Sequence, residues 1–440
     1  MMMKNIAFFT LLFILTSCIS GSSPMNANKG EKPTAKPTNS VQSKAKESSD
    51  SNIVISTNPV VNVYLETSGS MNGYVDKGKS QFQQVVFDYL SNIQNSGLFS
   101  EMNLNYITDK ITPKGNSVSN FINSLTSQGI MSSSGSKATT DIAALISNIL
   151  ENTDGNQISI FISDCIFSPG SVANPQAYLE NQKISIRNAI KKYIDRNELV
   201  GCTVYRFISD FKGSYFDYKN RAKKISSPRP FYIWVFGSPL HLANIKANIP
   251  DSKFMGASVD NTWTIMSGNL SLYNGINEYG LLHPSPTNGN YKWQSKTEVA
   301  SIKKSGDHFE FTFGVDLSLQ VLLYGEEYAT NIKNYYHLIN KEIGEQLLGE
   351  FRQNNIKAAK YTHDITVKSE KPFSKGDLNI VFDGTIPQWV YECSDSDDCL
   401  LTEANQLHTY GFNYMCEGIY AGFHANNANN VTASYNFVIK

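Results

Sequence analysis

The sequence has little of what catalytic and nucleic-acid-binding chains usually display. Its 38 Lys and Arg nearly balance 39 Asp and Glu, for a formal net charge of −1, so no electrostatic argument points to a nucleic acid. The seven His are scattered and none precedes His241. No G-x-S-x-G turn is present, so a serine hydrolase would lack its usual nucleophile elbow. The N-terminal apolar run "IAFFTLLFIL" is shorter than the roughly 20 residues of a membrane-spanning helix, and no second such span follows. The body of the chain is therefore expected to be soluble. Residues 19–52 contain no aromatic residue and are rich in Ser, Lys, Asn and Pro, a composition unable to offset its own ordering entropy.

The N-terminus carries an address. Lys4 precedes the apolar run, and Leu15, Thr16, Ser17 and Cys18 close it. That order resembles the bacterial lipobox, in which small residues precede a Cys that is lipidated and becomes the first residue of the mature chain. The resemblance implies a signal peptide over 1–17, lipidation at Cys18 and anchoring at the bacterial cell envelope, with an outer membrane favoured and the facing side undetermined. An ordinary secretory signal with a chance Cys is the alternative. Residues 18–55 then form a tether, a coil of a length that typically spans about 30–35 Å.

The remainder has a globular composition, 41% hydrophobic and 12% aromatic, and is long enough for two domains. Over 56–252, short apolar strands alternate with helical stripes, the pattern of an α/β fold with a mostly parallel sheet and helices on both faces. "VVNVYL" opens it, "ISIFIS" reads as a central strand, and "CTVYRFI" and "FYIWVFG" follow. Helical spacing recurs at Phe82, Val86, Tyr89, Leu90 and Ile93, and at Ile142, Leu145, Ile146, Ile149 and Leu150. Ser238–Pro239 reads as a helix N-cap followed by the first helical residue.

Over 253–440 the pattern changes to an α+β or mainly β domain. Segments such as "HFEFTFGVDL", "LNIVFD" and "VTASYNFVIK" alternate as antiparallel strands. Phe412, Met415, Ile419 and Phe423 have helical spacing, and residues 331–351 are helix-like. Cys165, Cys202 and Cys416 lie in apolar surroundings suited to buried thiols, whereas Cys393 and Cys399 bracket "SDSDD" and are candidates for a disulfide in an exported chain, with a free pair as the alternative.

The candidate chemistry lies in "VYLETSGSMNGYV", residues 63–75, where a strand gives way to a hydroxyl-rich turn. Glu66 ends that strand, Ser68 and Ser70 follow at alternate positions, Asp164 ends "ISIFISD", and Thr140 precedes a helix. Hydroxyls and carboxylates are hard oxygen donors suited to Mg²⁺, Mn²⁺ or Ca²⁺. Taken singly, each residue has a bland role: serines and threonines cap turns and helices, and an aspartate caps loop amides. Asp395, Asp397 and Asp398 form a second oxygen-rich cluster, better read as a solvated acidic loop because it lacks the Gly and distal Glu of a calcium loop.

"ETSGSMNG", "ATTDIAAL" and "FISDC", in that order, resemble the von Willebrand factor type A domain and its metal-ion-dependent adhesion site. The resemblance covers roughly residues 58–250. It implies a divalent cation held by Glu66, Ser68, Ser70, Thr140 and Asp164, with Thr139 as a substitute for Thr140. It also implies a vacant coordination position for an acidic group of a protein partner, and binding in place of turnover. Glu66 departs from the family's Asp by one methylene. The alternatives are a metal- or serine-dependent hydrolase, for which His408 or His424 would have to supply a base, and a structural envelope protein with a degenerate site.

Overall fold

Apolar residues at alternate positions build the first sheet. The computed structural model describes residues 58–75, 80–133, 135, 141–170, 172–197, 199–267, 278–282, 290–325, 336–340, 348–353, 361–382, 385–425 and 433–440. In β1 (Val60–Glu66), Val61, Val63 and Leu65 enter one hydrophobic core and Tyr64 the other. The strand nearest the C-terminal end of this alternation, β8 (Arg229–Gly237), divides its apolar residues the same way, with Phe231, Ile233 and Val235 against Tyr232, Trp234 and Phe236. A period of two with both faces apolar requires cover on both sides. Helices α1 (Gln81–Asn95), α2 (Val118–Ser124), α3 (Ser127–Met131) and α6 (Pro239–Asn248) supply one cover, and α4 (Ile142–Glu151) and α5 (Pro175–Arg196) the other.

The remaining strands of the sheet are β2 (Glu101–Ile107), β3 (Ile111–Pro113), β4 (Gln157–Ser163), β5 (Gly201–Ser209) and β9 (Val259–Met266), in the order β3-β2-β1-β4-β8-β5-β9. β1 lies parallel between β2 and β4, whereas β8 is antiparallel to both β4 and β5. The sheet is thus a mixed one in which β1, β2, β4 and β5 share a direction. Parallel neighbours need a crossover of a dozen or more residues, usually helical. Between β5 and β8 the chain instead forms the hairpin β6 (Lys212–Phe216) and β7 (Ala222–Ser226), so β8 returns antiparallel. Its burial on both faces hid this from the sequence pattern.

The N-cap read at Ser238 holds, and two further caps, at Ser80 and Asp141, were not read from the sequence. Ser80 caps α1 in a capping box with Gln83, and Ser238 caps α6 with Pro239 in its first turn. Asp141 caps α4, accepting from the Ala144 N–H at 3.0 Å.

A second, β-rich sheet follows. It contains β10 (Tyr279–Leu281), β11 (Asn290–Ser295), β12 (Glu298–Ser305), β13 (His308–Val315), β14 (Tyr336–Asn340), β15 (Leu348–Gln353), β16 (His363–Ser369), β17 (Gly376–Phe382) and β20 (Ala433–Ile439). All its pairings are antiparallel except β12 with β20. Between β13 and β14 lies the short helix α7 (Ser318–Tyr324). The helix-like run at 331–351 contributes strands β14 and β15 where it is described, because cross-strand pairing with β17 and β16 outweighs local propensity.

The boundary expected at 252 does not divide the structure. β9 is the edge strand of the first sheet, and α8 (Gln388–Glu392) and α9 (Phe412–Phe423) join the core on the α4–α5 face. Asn52 to Lys440 is one compact unit. Phe412, Met415, Ile419 and Phe423 are buried there, as their spacing required. α9 approaches α5 closely through Gly418 and Gly422. A Cβ at Gly422 would lie 2.5 Å from Ile190 Cβ and 2.9 Å from the Arg187 carbonyl oxygen.

The expected disulfide is absent. Cys393 and Cys399 are free thiols: Cys393 is buried in the core and donates to the Val390 carbonyl, while Cys399 lies half-buried in a separate loop. Residues 1–57, which include Cys18 and the expected signal and tether over 1–55, lie outside the described residues. Among the described residues no helix is long and apolar enough to cross a membrane.

Gly422→Ala gains about 1 kcal/mol of helix propensity, but overpacking against backbone costs about 1–3 kcal/mol. The expected outcome is a lower denaturant midpoint for G422A. A midpoint equal to or above the wild type's would show that the α5–α9 contact yields readily.

Candidate functional site

β1 and β4 lie side by side in parallel register, Leu65 opposite Ile162. The residues that follow each strand therefore emerge together at the carboxyl edge, where ligands bind in sheets of this kind. Glu66 and Asp164 are both 1% exposed. Two carboxylates buried at adjacent strand ends must be compensated, or the charged form is disfavoured.

Ser163 serves Glu66. Its hydroxyl donates to Glu66 Oε2 and accepts from the Cys165 N–H at 2.8 Å. Cys165 adopts the left-handed region, φ 55°, unusual for a residue with a side chain. In this tight turn the Ile166 N–H donates to Asp164 Oδ1 at 3.3 Å. Asp164 Oδ2 is buried with no hydrogen-bond partner among the described residues. The loop-capping role foreseen for Asp164 thus accounts for one of its two oxygens. Burial pushes the Asp164 carboxyl above the usual carboxylate range, opposed by the Ser70 hydroxyl, the Ile166 N–H and the Arg229 guanidinium.

The hydroxyl turn stands beside it. Thr67 anchors the turn, its N–H donating to the Ile107 carbonyl at 3.1 Å and its Oγ1 accepting from Ser133 at 2.9 Å. Ser68 Oγ and Ser70 Oγ are 3.0 Å apart. Neither serine caps the short 3-10 helix Ser70–Tyr74, whose N-cap is Gly69 without a side-chain bond. The capping alternative therefore does not explain this pair. The β6–β7 hairpin holds the turn from outside: a Cβ at Gly213 would lie 2.6 Å from Gly73 Cα, so the two backbones touch. Thr139 and Thr140 lie outside the described residues.

Sequence reasoning missed Arg229, at the start of β8 and 1% exposed. Its guanidinium donates to the carbonyls of Gln406 and His408 and lies 4.5 Å over the Tyr215 ring. A lone cation opening a wholly apolar strand was the available signal. Residues 394–411 form a strap across this edge, closed by pairing of β18 (Ser394–Asp395) with β19 (Thr409–Tyr410). Arg206 donates to the Leu407 carbonyl at 2.6 Å and Lys223 to that of Cys399.

The acidic cluster lies in this strap, and its reading as a solvated loop holds for the exposed Asp397 and the half-buried Asp395 but not for Asp398. Asp398 is 1% exposed, accepting from the Tyr215 hydroxyl and from the Tyr218 N–H at 2.9 Å. Asp395 and Asp397 accept from other groups, Asn405 Nδ2 and the Cys399 N–H respectively. The three carboxylates therefore serve separate partners. Of the His residues weighed for a hydrolase, His424 stacks on Tyr420, and the His408 ring makes no hydrogen bond among the described residues.

Among the described residues no group of three or more His, Cys, Asp or Glu is placed to hold a metal ion. An ion at this edge would rest on Asp164, Glu66 and serine oxygens. Ligands at right angles on Mg²⁺, with bonds of about 2.1 Å, sit about 3.0 Å apart, and neighbours in the pentagonal plane of a Ca²⁺ site about 2.8 Å apart. The Ser68–Ser70 separation of 3.0 Å is that of a hydrogen bond between the two hydroxyls and is compatible with either ion. Scanned against protein-family models and against curated proteins, the chain matches none.

Asp164 binds its proton more tightly in the folded chain, so its charge lowers stability above the folded-state pKa, and this cost vanishes below the unfolded-state value. Asp164→Asn keeps the oxygen facing Ile166 and removes the charge. Thermal unfolding of the metal-free protein should show D164N more stable than wild type near pH 7, with the gain gone near pH 3. No gain near neutral pH would mean that Arg229 and the hydroxyls compensate the charge fully. Separately, Asp398→Ala leaves the Tyr215 hydroxyl and Tyr218 N–H without their acceptor, expected to cost about 1–3 kcal/mol and to speed proteolysis within 394–411.

Proposed function

We propose that this chain is a lipid-anchored bacterial envelope protein whose first sheet acts as a von Willebrand factor type A-like module. It binds a divalent cation, Mg²⁺, Mn²⁺ or Ca²⁺, through Ser68, Ser70 and Asp164, with Glu66 and Thr140 completing the set. The bound ion supplies a Lewis-acidic position for a carboxylate of a protein partner. The observation that carries this reading is the buried, unpartnered Asp164 Oδ2 beside two serine oxygens 3.0 Å apart that cap nothing. Cys18 would supply the anchor, and residues 19–52 the reach from the membrane.

The chain's own residues perform the positioning. Ser163 orients Glu66, the Cys165 turn aims Asp164, and the hairpin fixes the hydroxyl turn. One observation favours a second reading, a structural protein with a degenerate site: Arg229 already places a positive charge near Asp164. For a hydrolase, no observation in the site favours a base.

Calorimetric titration of MgCl₂, MnCl₂ and CaCl₂ into the full chain in detergent tests the proposal. Saturable binding that is lost in a Ser68→Ala, Ser70→Ala double variant is expected; its absence in the wild type would favour the degenerate site. Glu66→Asp withdraws the carboxylate from the Ser163 hydroxyl and is expected to weaken ion binding. Tighter binding by E66D would identify Glu66 as a decayed ligand.

A further inference from the structure

The hydroxyl turn borders a groove of about 920 Å³ that runs between it, α3 and the β6–β7 hairpin. Gly69 and Asn72 of the turn, Met131 of α3, and Lys212, Phe216 and Lys224 of the hairpin line it. Among the described residues no acidic one does. Lys212 and Lys224 are exposed, and no described carboxylate pairs with either; Lys224 donates to Ser214 at 2.8 Å. Met131 is 55% exposed, a large apolar surface for a side chain at the mouth of a cleft. Asn72 donates to the Gly69 carbonyl at 3.2 Å and to Met131 Sδ at 3.0 Å, leaving its buried Oδ1 without a partner among the described residues.

These features select a class of ligand. Two unpaired ammonium groups without a carboxylate favour an anionic partner. Phosphate, sulfate and small carboxylates offer charge without apolar surface, whereas a peptide offers both. The thioether and the Phe216 ring call for an apolar side chain near the charges.

We infer that the groove binds an acidic segment of a protein partner. One carboxylate of that segment meets the hydroxyl turn, a contact that rests on the metal-site reading. A second meets Lys212 and Lys224, and an apolar side chain packs on Met131 and Phe216. The lysine contact stands without the ion, so the groove and the metal site can fail separately.

Fluorescence anisotropy of a fluorescein-labelled Leu-Glu-Glu-Glu-Glu-Leu peptide, titrated with the full chain in detergent and MgCl₂, tests this. The peptide with Gln in place of Glu is the control. Reversing both exposed charges, Lys212→Glu with Lys224→Glu, is expected to weaken binding about tenfold or more while leaving the calorimetric heat of Mg²⁺ binding unchanged. Met131→Asp should weaken it as well. In the Ser68→Ala, Ser70→Ala variant, part of the affinity should survive and remain lysine-dependent. The inference is overturned if the wild type does not bind the Glu peptide, if the Gln peptide binds equally, or if the lysine reversal changes affinity by less than about twofold. Lysine-dependent peptide binding without any heat of Mg²⁺ binding would sustain the groove and remove the metal site alone.

Discussion

Two carboxylates buried at the ends of neighbouring parallel strands are the constraint around which this edge of the molecule is built. Glu66 and Asp164 emerge together because β1 and β4 share a parallel register, and neither reaches solvent. An ionised carboxylate without partners is among the costliest groups to bury. The surroundings answer with hydroxyls, backbone amides and one guanidinium. Ser163 meets Glu66, the strained Cys165 turn brings an amide to Asp164, and Ser68 with Ser70 gathers two more oxygens alongside.

Arg229 moves the problem one step outward, because a buried guanidinium must itself be satisfied. Its partners are the carbonyls of Gln406 and His408, far along the chain. Arg206 and Lys223 hold other carbonyls of the same strap, and Asp398 is fastened by Tyr215 and Tyr218. The C-terminal region is thereby part of the first sheet's carboxyl edge. Close packing of α9 on α5 through Gly418 and Gly422 ties the strap's end to the same core.

The hairpin between β5 and β8 has two consequences. It turns β8 antiparallel, which brings Arg229 to the carboxyl edge, since a parallel strand would have opened at the opposite edge. It also packs on the hydroxyl turn and walls the lysine-lined groove. A binding reading draws on both, with an ion at the turn and complementary charge beside it.

Much of the first layer was legible in the sequence. The strands "VVNVYL" and "ISIFIS", the stripes of α1 and α4, the cap at Ser238 and the buried face of α9 all follow from local periodicity and capping chemistry. Such features depend on residues within a turn or two of one another, so the sequence by itself determined them, together with the strand-end positions of Glu66 and Asp164. Strand direction, the thiol state of Cys393 and Cys399, the strand identity of β14 and β15, the burial of Asp398 and the role of Arg229 were decided only in three dimensions. Each rests on a partner distant in sequence, and a doubly buried strand or a lone charged residue carries no local mark of which partner it will meet.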